Sequence, residues 1–358
     1  MLKILHIAPE NFAGVPLSFV QMHNSAGDFS RLVTFHKNRR GFPEDICLEM
    51  SIPVSTAALK WRSRKVKKIE NQNISEVQYF NPANIFEKFY FDVRDSLRRK
   101  KVNRVIHDYV LDQFDIIHYD GGLDFFRYPT QAIEWKKAGK KIVCCYYGSD
   151  LRIRGIIREL DEISDLNITS EYDHLSLKKN LHYIFYPYDP SELPGRKIID
   201  DGIVRIVHSP TDRKYKGTEL ILDVIRRIKK EKRIEFFLLE NLPRTEVLNV
   251  KSSGDICIDQ VGGKMGGTGY GKSGIETLAM GIPTITNMTD DYKKWLPENP
   301  FVVANNEEQL YQQLNELIDS AALRDELGNK GKAWVRKYHG FENVDRQLKE
   351  LYRKYNII

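Results

Sequence analysis

The chain has 358 residues, 41% of them hydrophobic and 29% charged, with a formal net charge of +6; this is room for two globular domains, each with its own core. No apolar run approaches the roughly 20 residues that span a bilayer, and the apolar run 2–8 meets Pro9 and Glu10 too soon for a signal sequence, which argues against an integral membrane protein. Cys47, Cys144, Cys145 and Cys257 form no Cys-x-x-Cys pair and no metal-ligand spacing with histidine, so buried free thiols in a reducing, cytoplasmic setting are expected, without structural zinc.

Short apolar runs predict strands at 3–8, 31–36, 114–119, 141–147 and 166–169, and then at 182–186, 204–208, 235–240, 255–259, 284–287 and 301–303. Amphipathic helical stretches separate many of them. The stretch 217–230 puts Leu220, Ile221, Val224, Ile225 and Ile228 on one side. Alternation of this kind predicts an α/β protein whose parallel sheets are covered on both faces.

Residues 60–104 hold 13 basic and 5 acidic side chains, a local charge of +8. Such a focus suits an anionic surface, or else a solvated helix face. Within it Ile85, Phe86, Phe89, Tyr90, Val93 and Leu97 form one apolar stripe flanked by cations, a combination that suits the interfacial layer of a membrane. A peripheral position at the inner face of the membrane is expected from it. No nucleic-acid reading motif accompanies the charge.

Pro187 just before it, and two prolines and two glycines within it, make 188–202 an interdomain linker. The expected domains are 1–187, 203–340 and a last helix, 341–358, that packs back on the first domain.

The densest chemistry lies in 261–283, VGGKMGGTGYGKSGIETLAMGIP. Gly266-x-x-x-x-Gly271-Lys272-Ser273 matches a Walker A phosphate loop letter for letter. Five residues intervene between strand and loop, however, and no strand after it ends in a magnesium-binding aspartate. The physical content survives: a glycine loop entering a helix near Lys272 presents backbone N–H groups and a positive dipole end to an anion. Glycines that only make a tight turn are the plain alternative.

Followed outward from this loop, the sequence resembles the retaining GT-B glycosyltransferases of family 4. Glu276-Thr-Leu-Ala-Met-Gly-Ile-Pro283 matches the run that opens on the second Glu of their Glu-x7-Glu element, and Gly269-Tyr270-Gly271 matches the loop before it. Arg213-x-x-Lys216-Gly217 matches their basic residue and Lys-Gly, the loop around Gly14 their first glycine loop, and Tyr147-Gly-Ser-Asp150 their His-Gly-Ser-Asp. The resemblance implies two Rossmann-like domains facing a central cleft, with a helical tail. It implies that Glu276 binds donor ribose, that Arg213 and Lys216 hold the leaving diphosphate, and that Gly14 lets backbone approach the phosphates. Leu242 would edge the nucleobase, with Thr268, Gly269, Tyr270, Gly271 and Lys272 completing the donor site. The sequence departs from the pattern where the first Glu becomes Thr268 and the His becomes Tyr147.

The activity so implied is hexosyl transfer from a UDP- or GDP-sugar to a glycan or lipid-linked acceptor, in polysaccharide or glycoconjugate assembly. Retention without a metal or other cofactor is implied, with Tyr147 and Asp120 near the reacting groups. No Asp-x-Asp ends a strand, and Asp290-Asp291 reads as a helix cap. Inversion would instead need a base such as Asp120, His118 or Asp150. A nucleotide-sugar epimerase of the same fold and a non-catalytic glycan- or nucleotide-binding protein are the rival readings.

Overall fold

The computed structural model describes residues 1–38, 41–50, 78–80, 82, 85–262 and 269–358. Thr268, the Gly266 end of the Walker match and the basic residues 60–77 lie outside them. The described chain forms two compact units, Met1–Pro187 with Phe341–Ile358, and Tyr188–Gly340.

The first unit is built on β1 (Lys3–Ala8), β2 (Phe29–Thr34), β3 (Ile46–Cys47), β4 (Ile116–Asp120), β5 (Lys141–Tyr146), β6 (Leu166–Thr169) and β7 (Leu181–Tyr183). All pair in parallel, in the order β3-β2-β1-β4-β5-β6-β7. Several strands differ from expectation: 114–119 becomes Ile116–Asp120, 141–147 ends at Tyr146, and Ile46–Cys47 was not expected. The run 31–36 begins earlier, at Phe29, and its last two residues leave the named strand although Phe35 and His36 still donate to the Ala8 and Pro9 carbonyls. The run 182–186 shortens to Leu181–Tyr183, and β3 is too short to carry a period. The core gathers Leu5, Ile7, Ile117, Tyr119, Ile142 and Cys144 between the strands and their helices.

The helix Ile85–Asp108 buries only Phe91, Val102 and Ile106. Val105 is partly buried against the core, and the stripe faces out, with Ile85 76%, Phe86 81%, Phe89 68% and Leu97 78% exposed. The last helix, Phe341–Lys354, buries Val344, Leu348 and Tyr352 in this same unit, where the Tyr352 hydroxyl meets His118 Nε2.

The second unit carries β8 (Val204–His208), β9 (Ile234–Leu238), β10 (Ile256–Gln260), β11 (Thr284–Thr286) and β12 (Val302–Val303), parallel in the order β12-β11-β10-β8-β9. The helix Thr218–Ile228 buries Ile221, Val224, Ile225 and Ile228 as its period predicts, with Leu220 at the edge. Residues 188–202 lie along this unit: Lys197 N–H donates to the Ser252 carbonyl at 2.8 Å, and Arg196 Nη1 to that of Gly281 at 2.7 Å. The acidic pair at 290–291 sits in the first turn of Asp290–Trp295, and Thr289 is the cap that accepts from Tyr292 N–H. The chain leaves β8 toward β9 on one side and β10 on the other. This reversal opens a crevice outside the carboxyl ends of the strands, the place where open α/β sheets bind ligands.

Candidate active site

At the end of β8, Asp212 accepts from the N–H groups of Lys214 and Tyr215 and starts the short helix Arg213–Lys216; Gly217 at φ 66° ends it. This turn brings Lys216 Nζ to Asp259 Oδ1 at 2.9 Å and Gln260 Oε1 at 2.8 Å, both at the end of β10. Asp259 Oδ2 in turn accepts from Gly271 N–H at 2.7 Å. A Cβ on Gly271 would stand 3.1 Å from Lys216 Nζ, so glycine lets the ammonium approach the start of the helix Lys272–Ala279. Arg213 is 41% exposed on its side chain, forked between Glu240 at 2.6 Å and Glu219 at 2.8 Å. It lines a depression of about 400 Å³ with Lys214, Gly217, Glu219, Leu220 and Gly262.

Glu276 lies one turn into Lys272–Ala279 and is 4% exposed. Both of its carboxylate oxygens are taken, one by Arg244 Nη1 and the other by Lys251 Nζ at 2.8 Å. Burial raises its pKa, but the Lys251 and Arg244 charges outweigh burial and hold the carboxyl below its ordinary value. Lys251 also donates to Ser273 Oγ at 2.9 Å, and that hydroxyl meets Ser209 Oγ at 3.0 Å. Lys272 lies over the Tyr188 ring at 5.7 Å; burial first, and then Arg244, bring it down to about 8 against the upward pull of Glu276 and Glu192. The carboxylate assigned to ribose is thus already pinned by two cations.

Gly269 accepts from Gln260 Nε2 and Thr286 Oγ1, and a Cβ there would fall 2.2 Å from the Tyr292 ring. Tyr270 stacks on Phe301 at 4.7 Å, edge-on to Trp334, and its hydroxyl lies 3.2 Å from His339 Nε2. Its ring therefore packs among aromatic neighbours within the unit. Leu242, after the left-handed Asn241, is 39% exposed.

In the first unit Gly14 takes φ 74° and caps Val15–Ser25. Asp120, fully buried, joins Tyr147 Oη at 2.6 Å and His6 Nδ1 at 2.9 Å. Burial lifts Asp120 to about 6, against the opposing pull of His118 and the Tyr147 hydrogen bond, and lifts the Tyr147 phenol well above its ordinary value. Asp150 accepts the N–H groups of Tyr147, Gly148 and Leu151 and so fastens its own turn.

Arg244, Lys251 and Ser209 were not foreseen, and Ser273 entered only as the last residue of the Walker A match. A local signal existed for the first: Arg244 opens Arg244–Lys251 and Lys272 opens Lys272–Ala279. A cation at a helix start opposes the dipole and asks for an anion nearby.

The family described as "Glycosyl transferase-like" matches residues 246–350. No curated protein sequence matches the chain. Among solved structures, TarM is similar with a TM-score of 0.61 at 10% identity, over 98% of this chain and 99% of its own. The Anabaena protein HepE, solved with UDP-glucose, has a TM-score of 0.56 at 10% identity, over 98% and 100%. A Listeria monocytogenes protein provisionally named UDP-N-acetylglucosamine 2-epimerase has 0.57 at 10% identity, over 100% and 98%. At such identities the likeness shows the fold, which is GT-B with two Rossmann-like parallel-sheet units.

Proposed function

We propose that the chain is a glycosyltransferase that takes a hexosyl group from a nucleotide-diphosphate sugar bound by the second unit. The observation that carries the reading is at the carboxyl edge of β8, β9 and β10. Two eight-residue helices, Arg244–Lys251 and Lys272–Ala279, each open on a cation, and Lys216 and Arg213 reach Asp259 and Glu240 near the ends of β10 and β9. Helix N-termini and cations gathered at a topological switch point fit a diphosphate. Cations that meet a leaving diphosphate stabilise the transition state more than the ground state, because charge grows there as the glycosidic bond breaks. Retention without a metal, and a UDP- or GDP-sugar as donor, complete the proposal; the Glu-x7-Glu subtype belongs to it as well.

A screen of UDP-, GDP- and other nucleotide sugars tests it. One donor should raise the melting temperature and be slowly hydrolysed, the sugar passing to water. Stabilisation by none of them would overturn the reading, and appearance of an epimer without acceptor would favour the epimerase instead.

For the acceptor we propose a lipid-linked glycan reached from the cytoplasmic face of a membrane. Ile85, Phe86, Phe89 and Leu97 stand exposed on a helix that also carries Arg98, Arg99, Lys100 and Lys101. The chain should bind anionic vesicles at low salt and release them as salt rises, since exposed charges are screened over about 8 Å at physiological ionic strength. Phe86→Ser/Phe89→Ser should weaken that binding. Equal sedimentation with neutral and anionic vesicles at low salt would count against this acceptor.

A further inference from the structure

We propose that the first unit binds a divalent transition-metal ion of the zinc class between His6, His23 and His118, as a structural site apart from the donor residues. His6 on β1 and His118 on β4 are register partners, and His23 comes from Val15–Ser25 packed above them. The rings of His6 and His118 lie 4.4 Å apart, and that of His23 lies 5.5 Å from His6 and 6.1 Å from His118. All three side chains are fully buried, and one ring nitrogen from each falls within 4.8 Å of the others.

The hydrogen bonding of these rings is incomplete. His6 Nδ1 is held by Asp120, which leaves His6 Nε2 without a hydrogen bond, and neither nitrogen of His23 makes one, Nδ1 standing 3.9 Å from Asp345 Oδ1. Buried polar atoms are nearly always satisfied, and each failure costs about 1–3 kcal/mol. A shared cation would take His6 Nε2 and one nitrogen of His23 at once and so remove two of these three failures. Burial keeps the imidazoles neutral, the form that binds metal.

The surroundings fit as well. Asp120 on His6 Nδ1 makes the carboxylate–histidine pair that orients a ligating imidazole and leaves Nε2 for the ion. Tyr147 fixes the other Asp120 oxygen. His118 faces Tyr352 through Nε2 and Cys145 Sγ at 3.3 Å through Nδ1, so it gives up one of these contacts to ligate. Cys145 lies within the same radius of His118 and offers the fourth position, while Asp120 stays on His6 and Tyr147. Three imidazoles select zinc, cobalt, nickel or copper over magnesium or calcium, and full enclosure is the mark of a structural site. The nitrogens, each within 4.8 Å of the others, need to stand about 3.4 Å apart around tetrahedral zinc, which ring adjustment can supply. A neighbouring group, His23 with Asp28 and Asp345, is a poorer candidate, because Lys349 Nζ already sits 2.9 and 3.0 Å from the two carboxylates.

The test unfolds the full chain in denaturant with chelator and refolds it with zinc, with cobalt or without metal; desalting and elemental analysis follow. About one ion per chain should remain, with a higher melting temperature than the metal-free chain. The cobalt form should show the visible bands of a tetrahedral ion. His23→Leu fills the same apolar space without a ligand. It should fold, retain no ion, and melt at a temperature indifferent to zinc. A folded wild-type chain that retains no ion would overturn the proposal, and so would His23→Leu with wild-type stoichiometry, which would place the ion elsewhere. Should His23→Leu fail to fold, His23→Cys serves: cobalt must then give more thiolate charge-transfer intensity than in the wild-type chain, and no gain in the folded variant refutes the site.

Discussion

Glu276→Gln should destabilise the second unit by about 3–5 kcal/mol, the cost of removing one partner from a buried ion pair. Lys251 is 2% exposed on its side chain and would face a neutral amide where a carboxylate stood. Arg244 loses the same partner. The pH dependence gives an independent check. The folded pKa of Glu276 lies below its ordinary value, so its contribution is complete above the unfolded carboxyl pKa, about 4.3, and is lost as pH falls through the folded value. Urea unfolding of both proteins from pH 7 to pH 3 should show a gap that narrows only at the acid end. A gap independent of pH, or no gap, would remove the ion pair as its cause. Each carboxylate oxygen has a second lone pair, so ribose can add to Arg244 and Lys251. Nucleotide affinity should then fall by about 1–3 kcal/mol in the folded variant. Unchanged affinity would confine Glu276 to holding the two cations.

Arg213→Ala/Lys216→Ala should lose turnover far more than donor affinity, by about 10²–10³-fold for each cation aimed at the leaving diphosphate. The two positions separate chemistry from folding. Arg213 is well exposed and its ion pairs reach the surface, so its removal should leave the melting temperature nearly unchanged. Lys216 is different: its loss strips the buried Asp259 of its cation and leaves it Gly271 N–H. Some stability should go with it. Single-turnover rates on Arg213→Ala alone are therefore the cleaner measurement. Near-normal turnover in the folded double variant would sink the assigned mechanism.

Much of the architecture was legible in the amino-acid order, because strands and helices are written in local periods. The alternation of apolar runs with amphipathic stretches set the α/β class. The spacing of Ile221, Val224, Ile225 and Ile228 chose the buried face of its helix, and the glycines before Lys272 marked the start of another. Resemblance carried Arg213, Lys216, Gly271 and Glu276 to one region of the chain; Lys216 and Gly271 meet Asp259 at a single strand end, while Arg213 is held by Glu219 and Glu240.

What the order alone left open was which side chains meet across the sheet. Ile46–Cys47 is a strand because β2 offers it an edge, not because two residues have a pattern. The partners of Glu276 come from a helix 25 and 32 residues earlier. His6 and His118 face each other only because β1 and β4 pair in parallel across a reversal of strand order. In parallel sheets each neighbour returns through a long crossover, so the residues that share a strand end are far apart in sequence and no local period records their meeting. Charge and hydrogen-bond partners, and with them the pKa of Glu276 and Asp120, therefore belong to the tertiary structure.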